Sequence, residues 1–134
     1  MNAVADVVGR LEVILEAEED TYRRFKQLLR REEQELIGLD PIDLERTTAE
    51  KQALAAEARL HGESRVELTQ VLAARLGVDG EISRLTELVA LVEEGGAGDL
   101  PDRLARLGAL AEATRGLLTS NERFSRRSLG RVQD

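Results

Sequence analysis

The stretch Leu29–Leu44, LRREEQELIGLDPIDL, decides the fold. It joins two runs of helical patterning through Gly38-Leu39-Asp40-Pro41. Glycine ends a helix well because, lacking a Cβ, it adopts left-handed backbone at little cost. Proline suits the first turn of the next helix, where its missing N–H has no partner to lose. A connection this short makes the flanking helices antiparallel neighbours. Upstream of the break, a stripe at spacings of three and four reads Val8, Leu11, Leu15, Glu18, Tyr22, Phe25, Leu29, Glu32, Leu36. Downstream it reads Leu44, Thr48, Lys51, Leu54, Ala58, His61, Arg65, Leu68, Leu72, Leu76. The spacing predicts helices over about 3–37 and 42–76. Gly62 weakens the second by about 1 kcal/mol relative to Ala.

The interruptions in the two stripes are of opposite sign. In a hairpin centred near Asp40, positions whose numbers sum to about 80 face each other. Glu32 then comes within reach of Thr48 or Lys51, and Glu18 within reach of His61 or Arg65. Such pairs can fix the register of an otherwise slippery Leu/Ala hairpin; the alternative is that each side chain snorkels to water.

Gly77-Val78-Asp79-Gly80 reads as a loop, with Asp79 a cap for a short helix over about 81–93. That helix would present Ile82, Leu85, Leu88, Val89 and Val92 on one face. Gly95-Gly96-Ala97-Gly98 reads as a flexible hinge, with no strand before it and no Lys-Ser/Thr after it to make a phosphate loop. Asp99-Leu100-Pro101-Asp102 starts a last helix over about 101–131, which Gly108, Gly116 and Gly130 weaken. Its stripe reads Leu100, Leu104, Leu107, Ala111, Thr114, Leu118, Asn121, Ser125, Ser128, Val132. The first half can pack as a core face. The second half is half polar, so it either frays or is kept for a partner.

The expected fold is all-α: a long antiparallel hairpin, a short third helix and a long C-terminal helix, in one domain over 1–134. Composition agrees. Of 134 residues, 34 % are charged, with two Phe, one Tyr and no Trp, which suits long Leu/Ala-packed helices with a wet outer surface. The net charge of −7 is uneven. Residues 101–134 carry seven Arg against four acidic groups, and residues 1–100 carry 12 basic against 22 acidic groups. An acidic chain without interleaved aromatics does not suit nucleic acid. The first helix has an acidic polar face, the wrong sign for anionic lipid. Without cysteine there is neither a disulfide framework nor a thiol site. No apolar run approaches the roughly 18 residues of a membrane span, and the N-terminus lacks a signal-peptide pattern, so a cytoplasmic protein is expected.

No catalytic constellation can be assembled. His61 is the one histidine, and with Glu57 it makes an i, i+4 pair that lacks the further ligands zinc or a di-metal site needs. There is no Ser/His/Asp set, P-loop or dinucleotide-binding glycine pattern. The expectation is a non-enzyme with no cofactor and no metal, working through protein–protein contacts.

The ordered set Glu33, Leu36, Gly38, Asp40, Asp43, Leu44, Thr47, Lys51, Leu54, Glu57 and Arg65 resembles the FlgN family of flagellar export chaperones. The segment Ile82–Leu88 and the ending Asn121, Phe124, Ser128, Leu129 and Val132 continue the resemblance over nearly the full chain. Where many members carry a further Asn three residues before the matching one, this chain has Leu118.

The resemblance implies a cytoplasmic chaperone of flagellar type III secretion. Its clients would be hook-associated (hook–filament junction) proteins of the FlgK and FlgL type, bound by their helical C-terminal segments. It would prevent their premature assembly or degradation and deliver them to the export gate. The client contact would fall on Leu117, Leu118, Asn121, Phe124, Ser128, Leu129 and Val132, a helix-in-groove arrangement that hides an apolar stripe and orders on binding. Two other readings stay open: these residues pack on the chain's own hairpin or in a homodimer, or the chain is a self-associating scaffold with no client.

Overall fold

The computed structural model describes residues 3–78, 84–92 and 96–133, except for the side chains of 128–133. It contains α1 (Ala3–Gly38), α2 (Pro41–Arg75), α3 (Leu85–Leu91) and α4 (Leu100–Gln133), with no strand among the described residues. The three long helices fall within one or two residues of their expected bounds. α2 runs unbroken through Gly62, and α4 through Gly108 and Gly116. A Cβ at Gly108 or Gly116 would meet nothing within 4 Å, so these glycines answer no close approach.

The turn between α1 and α2 departs from expectation in one respect. Gly38 is the last helical residue, and Leu39 takes the left-handed conformation, with φ 52°. Leu39 N–H donates to Leu36 O (3.3 Å) and Asp40 N–H to Glu35 O (3.2 Å). This is the Schellman pattern, with Leu39 where glycine usually stands. Asp40 then caps α2: its Oδ1 accepts from Asp43 N–H at 3.2 Å, its carbonyl accepts from Leu44 N–H at 3.0 Å, and Pro41 occupies the first helical position.

α3 is shorter than the predicted 81–93. Arg84 (φ −91°, ψ 123°) and Val92 (φ −75°, ψ 139°) are both extended, so one short run remains between them. It carries Leu85, Leu88 and Val89, the i, i+3, i+4 set that it buries. The predicted cap Asp79 and the apolar Ile82 lie outside the described residues, as does Gly95 of the predicted hinge.

The chain divides into two compact units. The first takes residues 1–19 and 59–108. Its buried apolar residues are Val7, Val8, Leu11 and Leu15 of α1, Leu72 and Ala73 of α2, Leu85, Leu88 and Val89 of α3, and Leu100 and Leu107 of α4. Its buried polar residues are Glu18, Glu19 and Thr69. Glu18 accepts from Arg65 Nε at 3.0 Å, and Glu19 pairs with Arg106 Nε at 3.3 Å. At the start of α4, Gly98 has φ 55°, and the Glu12 carboxylate takes the space a Cβ would need. Glu12 Oε1 accepts from Asp99 N–H at 3.2 Å, so a side chain of α1 satisfies a donor at the α4 N-terminus.

The second unit takes residues 20–58 and 109–134. Among the described residues, only Leu28, Leu29 and Leu36 are its buried apolar residues, whereas Thr21, Glu32, Thr47, Thr114 and Asn121 are buried and polar. A core of that kind gains little from apolar burial, at about 1.5–3 kcal/mol per large side chain, so hydrogen bonds and ion pairs must hold it.

Candidate functional site

Two buried charges of α1, Glu32 and Glu18, have partners that the register argument anticipates. Glu32 Oε2 pairs with Lys51 Nζ at 2.8 Å, as Glu18 does with Arg65. Around Glu32, Arg31 Nη2 reaches Thr47 Oγ1 (3.1 Å) and Glu50 Oε2 (2.7 Å), and Thr47 Oγ1 donates to Glu35 Oε1 at 2.5 Å. One helical turn or two further from the α1–α2 connection, Glu57 accepts from Thr21 Oγ1 (3.2 Å) and pairs with Arg24. The hydrogen bond from Arg24 to Glu57 raises the Arg24 pKa above its ordinary value. Glu57 is thus engaged by α1. Among the described residues no group of three His, Cys, Asp or Glu could hold a metal ion.

The second half of α4 meets this network at one point. Asn121, 3 % exposed, donates from Nδ2 to Leu29 O (2.7 Å) and to Glu32 Oε1 (2.9 Å). Glu32 therefore ties α1 to α2 through Lys51 and to α4 through Asn121. The buried line of α4 in this unit is Thr114 and Asn121, with Ala111, Leu118 and Ser125 half-buried beside them. This is the half-polar stripe read from the sequence, and here it packs inward. It packs imperfectly: Thr114 Oγ1 is buried with no hydrogen-bond partner.

The candidate client residues do not share one surface. Asn121 faces inward, occupied by Leu29 and Glu32. Leu117 and Leu118 are half-buried, and Phe124 is exposed at 38 %. At 100° per residue, Leu117 and Phe124 lie on one flank of the buried line and Leu118 and Ser125 on the other. The backbone of α4 continues through Ser128, Leu129 and Val132, whose side chains are outside the described residues.

Two concavities lie along this half of α4. One, about 440 Å³, is on its outer face, lined by Gly116, Thr119, Ser120, Arg123, Phe124 and Arg127. The other, about 340 Å³, opens between α4 and the α1–α2 hairpin where Ser125 stands over Leu36 and Leu44. The sequence carried a signal for the second that went unread. A serine on the contact stripe of a long helix leaves room where a leucine would fill it.

Over residues 1–134 the chain matches the family described as FlgN protein. The chain belongs to the FlgN family. FlgN proteins are chaperones of flagellar assembly and type III export, a chaperone family rather than an enzyme family. No curated protein and no solved structure matches the chain significantly. None of the FlgN chain's described helices is long and apolar enough to cross a membrane. Asn121 and Phe124, which carried the resemblance near the C-terminus, are placed differently: Asn121 holds α4 from within, and Phe124 stands outside.

Proposed function

We propose that this FlgN protein is a cytoplasmic chaperone for hook-associated proteins. It binds their helical C-terminal segments through the second half of α4, and so prevents premature assembly or degradation. It then delivers the clients to the flagellar export gate. The observation that carries the reading is the polar seam of α4 in a chain of this family. From Thr114 to Ser125 the helix is held by one asparagine amide and little apolar burial. A helix held this way can part locally from the hairpin to admit a client's apolar residues at low cost, with no nucleotide required. Leu117, Leu118 and Phe124 supply apolar surface beside the seam, and Ser128, Leu129 and Val132 prolong the helix that carries it.

Titration calorimetry of the full chain against an intact hook-associated protein, and against the same protein lacking its C-terminal segment, tests the reading. A one-to-one complex with the intact client and none with the shortened one is the expected result. Equal binding to both, or to neither, would contradict it.

A further inference from the structure

We infer that the crevice at Ser125 is a receptor for one apolar side chain of the client helix. This inference rests on the chaperone reading and specifies where on the protein the client's anchor residue sits. The floor is apolar, formed by Leu36, which is buried, and Leu44, which is half-buried. The polar groups around it already have partners within the chain. Thr48 Oγ1 donates to Leu44 O at 2.9 Å. Lys51 is paired with Glu32, and the Asn121 amide donates both its hydrogens. An apolar side chain entering here leaves these hydrogen bonds intact; the Thr48 hydroxyl and the Asn121 amide have no donor left to desolvate, while Lys51 Nζ carries further N–H groups beside its bond to Glu32. The volume, about 340 Å³, exceeds the roughly 150 Å³ that already accepts a benzene-sized ring. A Leu, Met or Phe side chain fits.

The rim specifies the rest of the partner. Glu122 and Arg126 are both exposed, on the α4 side of the opening. They suit an amphipathic helix that carries charged groups on either side of its anchor. The concavity on the outer face of α4 has a different chemistry: it is lined by Gly116, Thr119 and Ser120, two of them hydroxyl-bearing, with Arg123, Phe124 and Arg127. It offers no buried leucine for an anchor residue to touch. The crevice exists because the contact stripe puts a serine where packing would favour a leucine, which makes the polar seam of α4 a binding feature.

The experiment uses the full chain and a peptide carrying the C-terminal helical segment of a hook-associated protein. Ser125→Leu fills the crevice from within. It should raise Tm by about 3 °C or more and weaken peptide binding by about tenfold or more. Thr119→Leu adds the same bulk on the exposed outer face of α4 and should leave binding within about twofold of wild type. Binding by Ser125→Leu that equals or exceeds wild type overturns the inference, as does an equal loss in Thr119→Leu. Should Ser125→Leu fail to fold, Ser125→Cys decides, since the chain has no other thiol. Its alkylation should slow about tenfold when peptide is bound, while that of Thr119→Cys should not. Unchanged reactivity at position 125 overturns the inference. If wild type binds no peptide, the chaperone reading itself falls; if wild type binds and position 125 is indifferent, only the crevice falls.

Discussion

Leu39 occupies backbone that L-residues other than Asn and Asp rarely adopt, and it does so with its side chain 58 % exposed. The left-handed conformation costs about 1–2 kcal/mol for a residue with a Cβ, and little buried area offsets it. Leu39→Gly should therefore stabilise the chain by about 0.5–1 kcal/mol, after allowing for the extra freedom of glycine in the unfolded state. Urea melts of the two proteins measure it, and a destabilised variant would mean that Leu39 is held by contacts other than its turn. The sequence made Gly38 look like the terminator because glycine is the usual occupant. Which of two adjacent residues turns left-handed depends on where the hydrogen bonds of the last turn close, and this the composition of the turn does not encode. The cap beside it carries a pH signature. Asp40 is depressed below its ordinary value, first by the Asp43 N–H that it accepts. Asp43 is raised by its hydrogen bond to Asp40 and by that neighbour's charge. A depressed carboxyl adds stability above its unfolded pKa and loses it as pH falls. A raised one subtracts stability once it ionises, and subtracts nothing when protonated. Asp43→Asn should thus melt higher than wild type at pH 7 and converge with it as pH falls below the ordinary Asp value of 3.8. A gap that stays constant with pH would contradict this assignment.

Helix α1 was the most legible element. Each stripe position from Val8 to Leu36 is buried or half-buried, because a long, continuous 3.6-residue period leaves one way to place the helix. Helix α2 was less so. Near its start the buried threonine is Thr47, not the predicted stripe residue Thr48, which is exposed. Its apolar residues are spread around the helix, so the partners on α1 decide the face. The bounds of α3 were misjudged at both ends because seven helical residues give barely two turns of period. The cross-helix pairs Glu32–Lys51 and Glu18–Arg65 were legible from charge sign and hairpin arithmetic; Asn121–Glu32 and Glu19–Arg106 were not, since nothing in the sequence sets the register of α4 against α1. If these pairs fix register, they should be coupled. Lys51→Met leaves the buried Glu32 with only the Asn121 amide among its hydrogen-bond partners here, and should cost about 2 kcal/mol. Adding Glu32→Leu should recover most of that loss. A double-mutant cycle by chemical denaturation reads a coupling of about 1–3 kcal/mol. Additive losses would show the pair to be a bystander.

Across the whole molecule, the two units differ in what holds them. Among the described residues, the first buries eleven apolar residues, and the second buries three with five polar ones. Local opening follows such differences, since helices with few apolar contacts open at lower free energy. The proposed function supplies a reason to keep one unit so: a chaperone that released its client without nucleotide would need a binding element near the middle of its own equilibrium. The sequence made the polar turn of the α4 stripe visible but left open whether that stretch frays or packs. It packs, because one asparagine can satisfy a carbonyl and a carboxylate that α1 presents at the same height. Amide hydrogen exchange on the full chain, alone and with a hook-associated protein's C-terminal segment, probes this most directly. Residues 111–127 should exchange faster than residues 100–107 in the free protein, and should slow once the segment is bound. Equal protection of both halves of α4, unchanged by the segment, would mean that the second half of α4 belongs to the permanent core and that no client binds there.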